Sequence, residues 1–157
     1  MNRRIAIIRV RGKVDVRKPI KDTLSMLRLY KKNSCVIVPN TAVYVGMLTK
    51  VKDYVTWGEV DEKAFRVLLE KRGRLAGNKA LSEEYLKQKL KISYDGFVKE
   101  FFGFKKELKD IPGLKLFFRL KPPEKGFERK GIKKSFAVGG ALGYRKDNIN
   151  NLIIRMI

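Results

Sequence analysis

The stretch that decides the fold is Arg4-Ile5-Ala6-Ile7-Ile8-Arg9-Val10, followed by the turn Arg11-Gly12-Lys13. Ala6, Ile8 and Val10 recur at every second position, and this spacing predicts a strand with one apolar face. Glycine adopts backbone conformations that other residues avoid, which favours a turn after the strand. The sequence therefore predicts a first β-strand that ends among positive charges.

The elements that follow alternate between helix and strand. Pro19 suits a first helical turn, and Ile20, Leu24 and Leu27 keep helical spacing up to the basic stop at residues 31–33. The apolar run 35–38 predicts a short buried strand. Asn40 or Thr41 then caps a second helix, and the segment 54–57 is a third strand stopped by Gly58. The second helix is predicted to bury Val43, Met47, Leu48 and Val51.

The rest of the chain is predicted as a helical extension and an extended, basic C-terminal part. Asp61 and Ser82 are predicted helix caps, and the apolar residues of 97–102 mark a third helix. Alternation over 115–120 predicts a strand, and the Pro- and Gly-rich stretch 121–134 predicts a long projecting arm. Asp147 caps a final helix, whose predicted inward face is Ile149, Leu152, Ile153 and Met156.

The charge of the chain predicts an anionic partner. The sequence has 37 Lys and Arg residues against 16 Asp and Glu, which gives a net charge of +21 over 157 residues. Ordinary domains keep a net charge in single figures, because self-repulsion destabilises the compact state. Phosphate backbones are the commonest partner of such proteins. The charge is concentrated in residues 1–60 and 111–157, which we expect to lie close together in space.

Several classes of protein are disfavoured by what the sequence lacks. There is no histidine and only one cysteine, which removes Ser-His-Asp and Cys-His catalysis and zinc sites with nitrogen and sulfur ligands. Cys35 heads an apolar run and is predicted to be a buried hydrophobic residue. We expect no catalytic residue, metal, cofactor or small-molecule substrate. With no signal-peptide core and no run of about twenty apolar residues, we also expect a cytoplasmic protein without a membrane partner.

The first candidate surface lies in the N-terminal third. Cations beside a glycine turn and a helix N-terminus suit phosphate groups, although most charge runs are merely solvated faces. No phosphate-loop motif is present in this turn, so nucleotide binding is not predicted. The candidate RNA-binding residues here are Arg9, Arg11, Lys13, Arg17, Lys18 and Lys21, followed along the chain by Arg28, Lys31, Lys32 and Lys50.

Two further candidate surfaces lie in the C-terminal part. Phe127 in the predicted arm either stacks on a base or anchors the arm to the protein, and both readings stay open. The arm cations are Lys125, Arg129, Lys130, Lys133 and Lys134. In the glycine-rich stretch 139–146, Tyr144 is a stacking candidate and Arg145 and Lys146 are phosphate-binding candidates. The alternative for that stretch is a tight connection before the last helix.

These stretches together resemble the large-subunit ribosomal protein L-thirty family, in its longer archaeal form, which is related to the eukaryotic L-seven ribosomal proteins. The residues that carry the resemblance are 5–13, 23–29, 36–41, 46–51, 136–140 and 148–153. One departure concerns Val45, which stands where the family often has an arginine, so no RNA contact is predicted there.

The resemblance implies an α+β fold and a structural role in the ribosome. It implies a three-stranded antiparallel sheet, partly ferredoxin-like, with helices on one face. The β-α-β-α-β core would occupy residues 1–59, and residues 60–157 would form a helical extension, a C-terminal strand, the basic arm and the terminal helix. The implied partners are large-subunit ribosomal RNA near 5S RNA and neighbouring large-subunit proteins.

Three other readings compete with this one. A nucleic-acid-binding architectural protein outside the ribosome also explains the charge, but no recognition helix with clustered Arg, Asn or Gln is found. A membrane-surface protein needs a basic amphipathic helix with aromatic residues on its apolar face. An RNA-modifying enzyme needs a cofactor motif or a poised acid–base pair, and neither is visible in the sequence.

Overall fold

A computed structural model of the chain describes residues 3–157. The strands are β1 (Arg4–Arg9), β2 (Ser34–Pro39), β3 (Val55–Glu59), β4 (Phe118–Arg119) and β5 (Gly143–Tyr144). The helices are α1 (Lys18–Met26), α2 (Ala42–Val51), α3 (Glu62–Arg72), α4 (Glu83–Leu90), α5 (Tyr94–Phe102) and α6 (Asn148–Met156). The β-α-β-α-β order of the first third agrees with the prediction, and α3 to α5 form a helical extension.

The sheet has five strands and is mixed, which corrects the predicted three-stranded antiparallel sheet. Its order is β4-β2-β1-β3-β5, and the three central strands pair antiparallel. β4 joins one edge antiparallel to β2, whereas β5 joins the other edge parallel to β3. β4 lies within the strand predicted over 115–120, although its pairing with β2 has no local signal, whereas the two-residue β5 is too short to show the alternation from which strands are predicted. The implied architecture was therefore incomplete at both edges.

Helices cover both faces of the sheet, which corrects the implied one-faced arrangement. On one face, Ile5 and Ile7 pack in the α1/α2 cluster with buried residues such as Leu24 and Leu48. On the other face, Ala6 and Ile8 pack in the extension cluster, which includes buried residues of α3, α5 and α6. The near-continuous apolar run of β1 is the pattern of a strand buried on both sides. The extension thus supplies much of the larger of the two clusters.

Arg4 connects the extension to the sheet, a role that no pattern in the sequence predicts. Its side chain is 1% exposed and lies 4.0 Å from the ring centre of Phe101. The guanidinium donates to both carboxylate oxygens of Glu107, at 2.9 and 2.8 Å, and to the carbonyl of Phe101. A buried arginine needs such a set of acceptors, because an unpaired buried charge is strongly destabilising.

Several local predictions are confirmed and others are wrong. β3 continues through Gly58, and Thr41 and Asp147 stand at the N-caps of α2 and α6 without a side-chain cap bond. The side chains of Asp61 and Ser82 cap α3 and α4 by accepting backbone N–H groups. The four predicted inward residues of α6 are all buried. Helix α1 ends at Met26 instead of continuing to the cations at 31–33, since Arg28 takes a φ of +60°. Val43 is 72% exposed, because α2 buries the face that carries Leu48 and Val51.

A third apolar group brings the two ends of the sequence together, as their charges predicted. We call it the junction cluster: Val10 at the end of β1 packs with Ala141 and Leu142, and Phe127 and Ile132 pack against it. The residues around Val10 belong to the first basic segment, and those around Phe127 belong to the last. Their contact places both basic segments at the same end of the sheet.

Candidate nucleic-acid interface

One end of the sheet gathers most of the predicted RNA-binding cations. β1 finishes at this end, where the antiparallel strands β2 and β3 begin. The backbone N–H groups of Val10 and Arg11 donate to the carbonyl of Tyr54, and that of Asn33 donates to the carbonyl of Arg9 at 2.8 Å. The turn at 11–13, the loop before β2 and the end of α2 therefore meet.

We call this region the basic end and define it by its exposed cations. From the N-terminal third it takes Lys13, Arg17, Lys18, Lys31, Lys32 and Lys50, with the partly exposed Arg11; from the C-terminal loop it takes Lys125, Arg129, Lys130, Lys133 and Lys134. Lys21 is exposed on α1. Arg28 lies apart from this group, in a groove beside β2 with Glu107 and Lys109.

Arg9 is buried, which corrects its assignment as an RNA contact. Its guanidinium donates to the carbonyls of Leu29, Arg11 and Gly12, at 2.7, 2.9 and 2.9 Å. Burial lowers the pKa of Arg9 below the usual arginine value. With its donors used inside the protein, the side chain does not reach a phosphate. It instead fixes the shape of the turn that presents Arg11 and Lys13.

Arg145 is the second corrected residue. It is 2% exposed and forms an ion pair with Glu128, with 2.6 Å between the nearest nitrogen and oxygen. It also donates to the hydroxyl of Thr56 and to the carbonyl of Ala141, each at 2.8 Å. A guanidinium held this way joins β3 to the C-terminal loop, so it is not a free phosphate clamp.

The stretch 121–134 folds against the protein, which corrects the predicted projecting arm. The backbone N–H of Lys121 donates to the carbonyl of Met156, and that of Lys130 donates to the carbonyl of Gly139. Phe127 is partly buried against the extension and junction clusters. This burial supports the anchor reading of Phe127 over the stacking reading. The loop cations remain exposed on the outer side of a fixed segment.

Tyr144 keeps an accessible ring. It is 45% exposed, and its ring centre lies 6.4 Å from that of Trp57. Its hydroxyl donates to Glu59 Oε1 at 2.5 Å, and this hydrogen bond, with some burial, raises the pKa of Tyr144 to about 12. The neighbouring Lys146 is exposed. Both residues stay candidates for RNA contact, while Arg145 between them points into the protein.

The structure contains a further basic surface that was not predicted from the sequence. Four cations from two segments converge on one cavity beside β4: Arg72, Arg74, Lys115 and Arg119. The middle of the chain, residues 61–110, has a smaller excess of bases than either end, so composition does not select Arg72 or Arg74. Only the packing of residues 72–75 against 114–119 reveals the group.

No metal centre or membrane segment emerges in the part of the chain that the structure describes. Residues 3–157 contain no group of three or more His, Cys, Asp or Glu side chains placed to hold a metal ion. No helix in the same range is long and apolar enough to cross a membrane. Cys35 is fully buried, and burial raises the pKa of its thiol to about 12, which agrees with the predicted core residue.

Comparison with known proteins identifies similar sequences. The profile of the family described as "Ribosomal protein L30p/L7e" matches residues 5–55. A protein of Nanoarchaeum equitans named "Large ribosomal subunit protein uL30" is 53% identical over 152 residues, which is 97% of each chain. Proteins of the same name from Methanococcus vannielii and Methanopyrus kandleri are 51% and 49% identical, and the alignments span 97% and 94% of this chain and 98% and 100% of theirs.

Proposed function

The chain belongs to the ribosomal protein L30p/L7e family, and on that basis we propose that it is a non-enzymatic structural component of the large ribosomal subunit in the cytoplasm. In this role its partners are ribosomal RNA and other large-subunit proteins. The finer part of the proposal is that the basic end binds large-subunit ribosomal RNA in the neighbourhood of 5S RNA.

The observation that carries this proposal is the unneutralised charge of the basic end. Within residues 3–157, none of its cations takes part in an ion pair, whereas Arg4 and Arg145 in the interior are both paired. Like charges held on one surface repel one another, and an anionic polymer removes that cost. The protein thus has two sets of cations: buried arginines that stabilise the fold, and exposed cations of the basic end that are available to bind phosphates.

The shape of the basic end favours RNA backbone contact over base reading. Lysines dominate it, and lysine acts as a flexible point charge toward phosphates. Most of them lie on turns and on an irregular loop, with Lys18 and Lys50 at helix ends, and RNA phosphates also accept from backbone N–H groups at such positions. Such contacts fix a protein on folded RNA through charge and shape without specifying bases. That is the behaviour needed of a structural protein.

Sedimentation of cell lysate combined with crosslinking tests the proposal. The protein should co-sediment with large subunits and remain with them through moderate salt. Lysine-to-RNA crosslinks mapped by mass spectrometry should come from the basic end and reach large-subunit RNA close to 5S RNA. Recovery in ribosome-free fractions would overturn the ribosomal role. Crosslinks from the basic end to RNA distant from 5S RNA would overturn only the finer placement.

A further inference from the structure

The cavity beside β4 has a volume of about 220 Å³ and is enclosed by parts of the extension and by the segment leading into β4. Its lining is basic, polar or aromatic and contains no acidic side chain. The lining residues are Arg72, Arg74, Asn78, Lys115, Phe117 and Arg119.

The fold fixes this convergence of charges through the backbone. The N–H of Lys115 donates to the carbonyl of Arg74 at 2.8 Å, and Leu75 forms a β-bridge with Leu114. Arg119 lies in β4 opposite Ser34 of β2. The segments that carry Arg74, Lys115 and Arg119 are therefore held side by side before any ligand arrives.

Within residues 3–157, no Asp or Glu side chain forms an ion pair with any of the four cations in the cavity. One N–H of the Arg72 guanidinium donates to the carbonyl of Ile157. Converging cations repel one another, and partial burial weakens the screening by water. A phosphate group supplies the missing charge and presents several acceptor oxygens, which suit the forked donors of arginine.

Aromatic residues connect the cavity to the basic end. Phe117 lines the cavity, and the ring of Tyr30 meets it edge to face with 5.7 Å between the ring centres. Tyr30 is 45% exposed and directly precedes Lys31 and Lys32 of the basic end. Tyr30 therefore lies between those lysines and the cavity, and its exposed ring is a surface suited to stacking with a base.

We propose that this cavity binds a backbone phosphate of RNA, as a second contact beside the basic end. The inference rests on the proposed function, because the RNA is the one that the basic end holds. It adds a site built by the extension, where Arg74, Lys115 and Arg119 grip the phosphate and Tyr30 supports the adjoining nucleotide.

The first test compares two variants of equal charge in the full-length protein. Arg74→Gln, Lys115→Gln and Arg119→Gln are combined in the cavity variant, which leaves Arg72 and its bond to Ile157 in place. The control variant combines Lys63→Gln, Lys89→Gln and Lys99→Gln, which remove exposed cations outside the cavity. Thermal unfolding first establishes that both variants are folded.

The measured quantity is the dependence of the affinity for large-subunit ribosomal RNA on salt concentration. Loss of one phosphate contact should reduce the slope of log K against log salt by about one unit in the cavity variant, and by much less in the control. Affinity at low salt should fall in the cavity variant alone. Equal slopes and affinities in the two variants would overturn the inference.

A second test locates RNA at the cavity. Ala80 is exposed and bridges to Arg74, so Ala80→Cys carries a tethered iron chelate, while the buried Cys35 stays unlabelled. Radicals from this position should cut the ribosomal RNA at one short stretch, distinct from any cut obtained with Gln88→Cys on α4. The absence of a local cut would overturn the inference. Titration with inorganic phosphate is the third arm, and phosphate binding without RNA cleavage would mark a free-anion site and contradict the assignment to RNA.

The outcomes separate this inference from the proposed function. If the wild-type protein fails to bind large-subunit ribosomal RNA, the proposed function is wrong and the inference fails with it. If the wild type binds with a steep salt dependence and the cavity variant matches its control, only the cavity assignment is wrong.

Discussion

Arginine has two roles in this protein that the sequence does not distinguish. Arg4, Arg9 and Arg145 are at most 3% exposed and donate to carbonyls and carboxylates of distant segments. Arg17 and Arg129 are exposed and unpaired within the described residues. Arg9 and Arg145 were both predicted to bind RNA because they lie in basic runs. What decides their role is the register of the strand and the position of Glu128, which only tertiary structure supplies.

Arg145→Ala should destabilise the protein without removing a phosphate contact. The change leaves Glu128, whose side chain is 20% exposed, with only a longer contact of 3.9 Å to Arg155, and removing one partner of a buried ion pair costs about 3 kcal/mol or more. Urea denaturation should show this loss of unfolding free energy, while Lys146→Gln at the exposed neighbouring position changes it by no more than about 0.5 kcal/mol.

The RNA-binding measurement on the same variant decides between the two roles of Arg145. We expect the salt dependence of RNA affinity to be unchanged in Arg145→Ala under conditions where it is folded. Unchanged stability together with a slope reduced by about one unit would restore Arg145 as a phosphate clamp.

Tyr144 should ionise later than an ordinary tyrosine. Its hydrogen bond to Glu59 favours the neutral phenol and raises its pKa from 10.0 to about 12. The stability that this raised pKa contributes is complete below pH 10 and is lost as the pH rises through about 12, because the unfolded chain ionises first. Ultraviolet titration should show a late step that Tyr144→Phe removes. A spectrum in which that variant loses a step near pH 10 would contradict the hydrogen bond.

At the scale of elements, the loop 121–134 shows what composition predicts and what it misses. Prolines, glycines and cations predicted an irregular segment with exposed charge, and both features are present. Its attachment was missed, because Phe127 and Ile132 pack against Val10, which is far away in sequence. In a periodic element such as α6, the spacing of the apolar residues predicts which side chains are buried. An irregular loop has no such spacing.

Replacing the five loop cations with serine should weaken RNA binding while preserving the fold. Lys125, Arg129, Lys130, Lys133 and Lys134 are exposed, and the packing of the loop depends on other side chains. Each phosphate contact contributes about 0.7 to 0.9 to the salt slope, so losing three to five contacts should reduce the slope by roughly two to four. Filter binding across a salt series measures it.

Phe127→Ala is the companion to that variant. As an anchor, half-buried Phe127 should contribute about 2 kcal/mol to the stability of the free protein, less than a fully buried phenylalanine, and the salt slope should not change. Wild-type stability with reduced RNA affinity would mean that Phe127 stacks on a base instead. If the five-serine variant has the RNA affinity and salt slope of the wild type, the loop cations are solvated and do not contact RNA.

At the scale of the whole molecule, the structure of the first third of the chain was more predictable than that of the rest. The spacing in β1 and the basic segments are local signals, and the apolar packing of Val10 with Ala141 and Leu142 brings the two ends together as predicted. The mixed sheet was not predictable, because β5 is two residues long and pairs with a strand that is distant in sequence. The two covered faces had a signal in the apolar run of β1, but the contacts of the extension with that strand are non-local. The four-cation cavity depends on those same contacts.

We propose that residues 1–59 form a structural unit of their own. The fold allows the stability and the association of this fragment to be predicted. It keeps almost the whole α1/α2 cluster but exposes Ala6, Ile8, Cys35 and Ile37 on the face that the extension covers. A domain of about 60 residues is marginal even when both faces are satisfied. Circular dichroism should show a cooperative transition well below that of the full chain, with association at high concentration. Absence of any cooperative transition would contradict the division at residue 59.

The central claim is that a localised basic end holds ribosomal RNA, and charge-matched variants test it most directly. One variant replaces Lys13, Arg17, Lys18, Lys31 and Lys32 with glutamine, and the other replaces Lys63, Lys89, Lys91, Lys99 and Lys105, which are exposed on and around the extension helices. Both lose the same charge. For large-subunit ribosomal RNA, the slope of log K against log salt should fall by roughly three to five in the first variant and by less than about one in the second. Equal losses in both variants would show that the charge acts diffusely and that the basic end is not the binding surface.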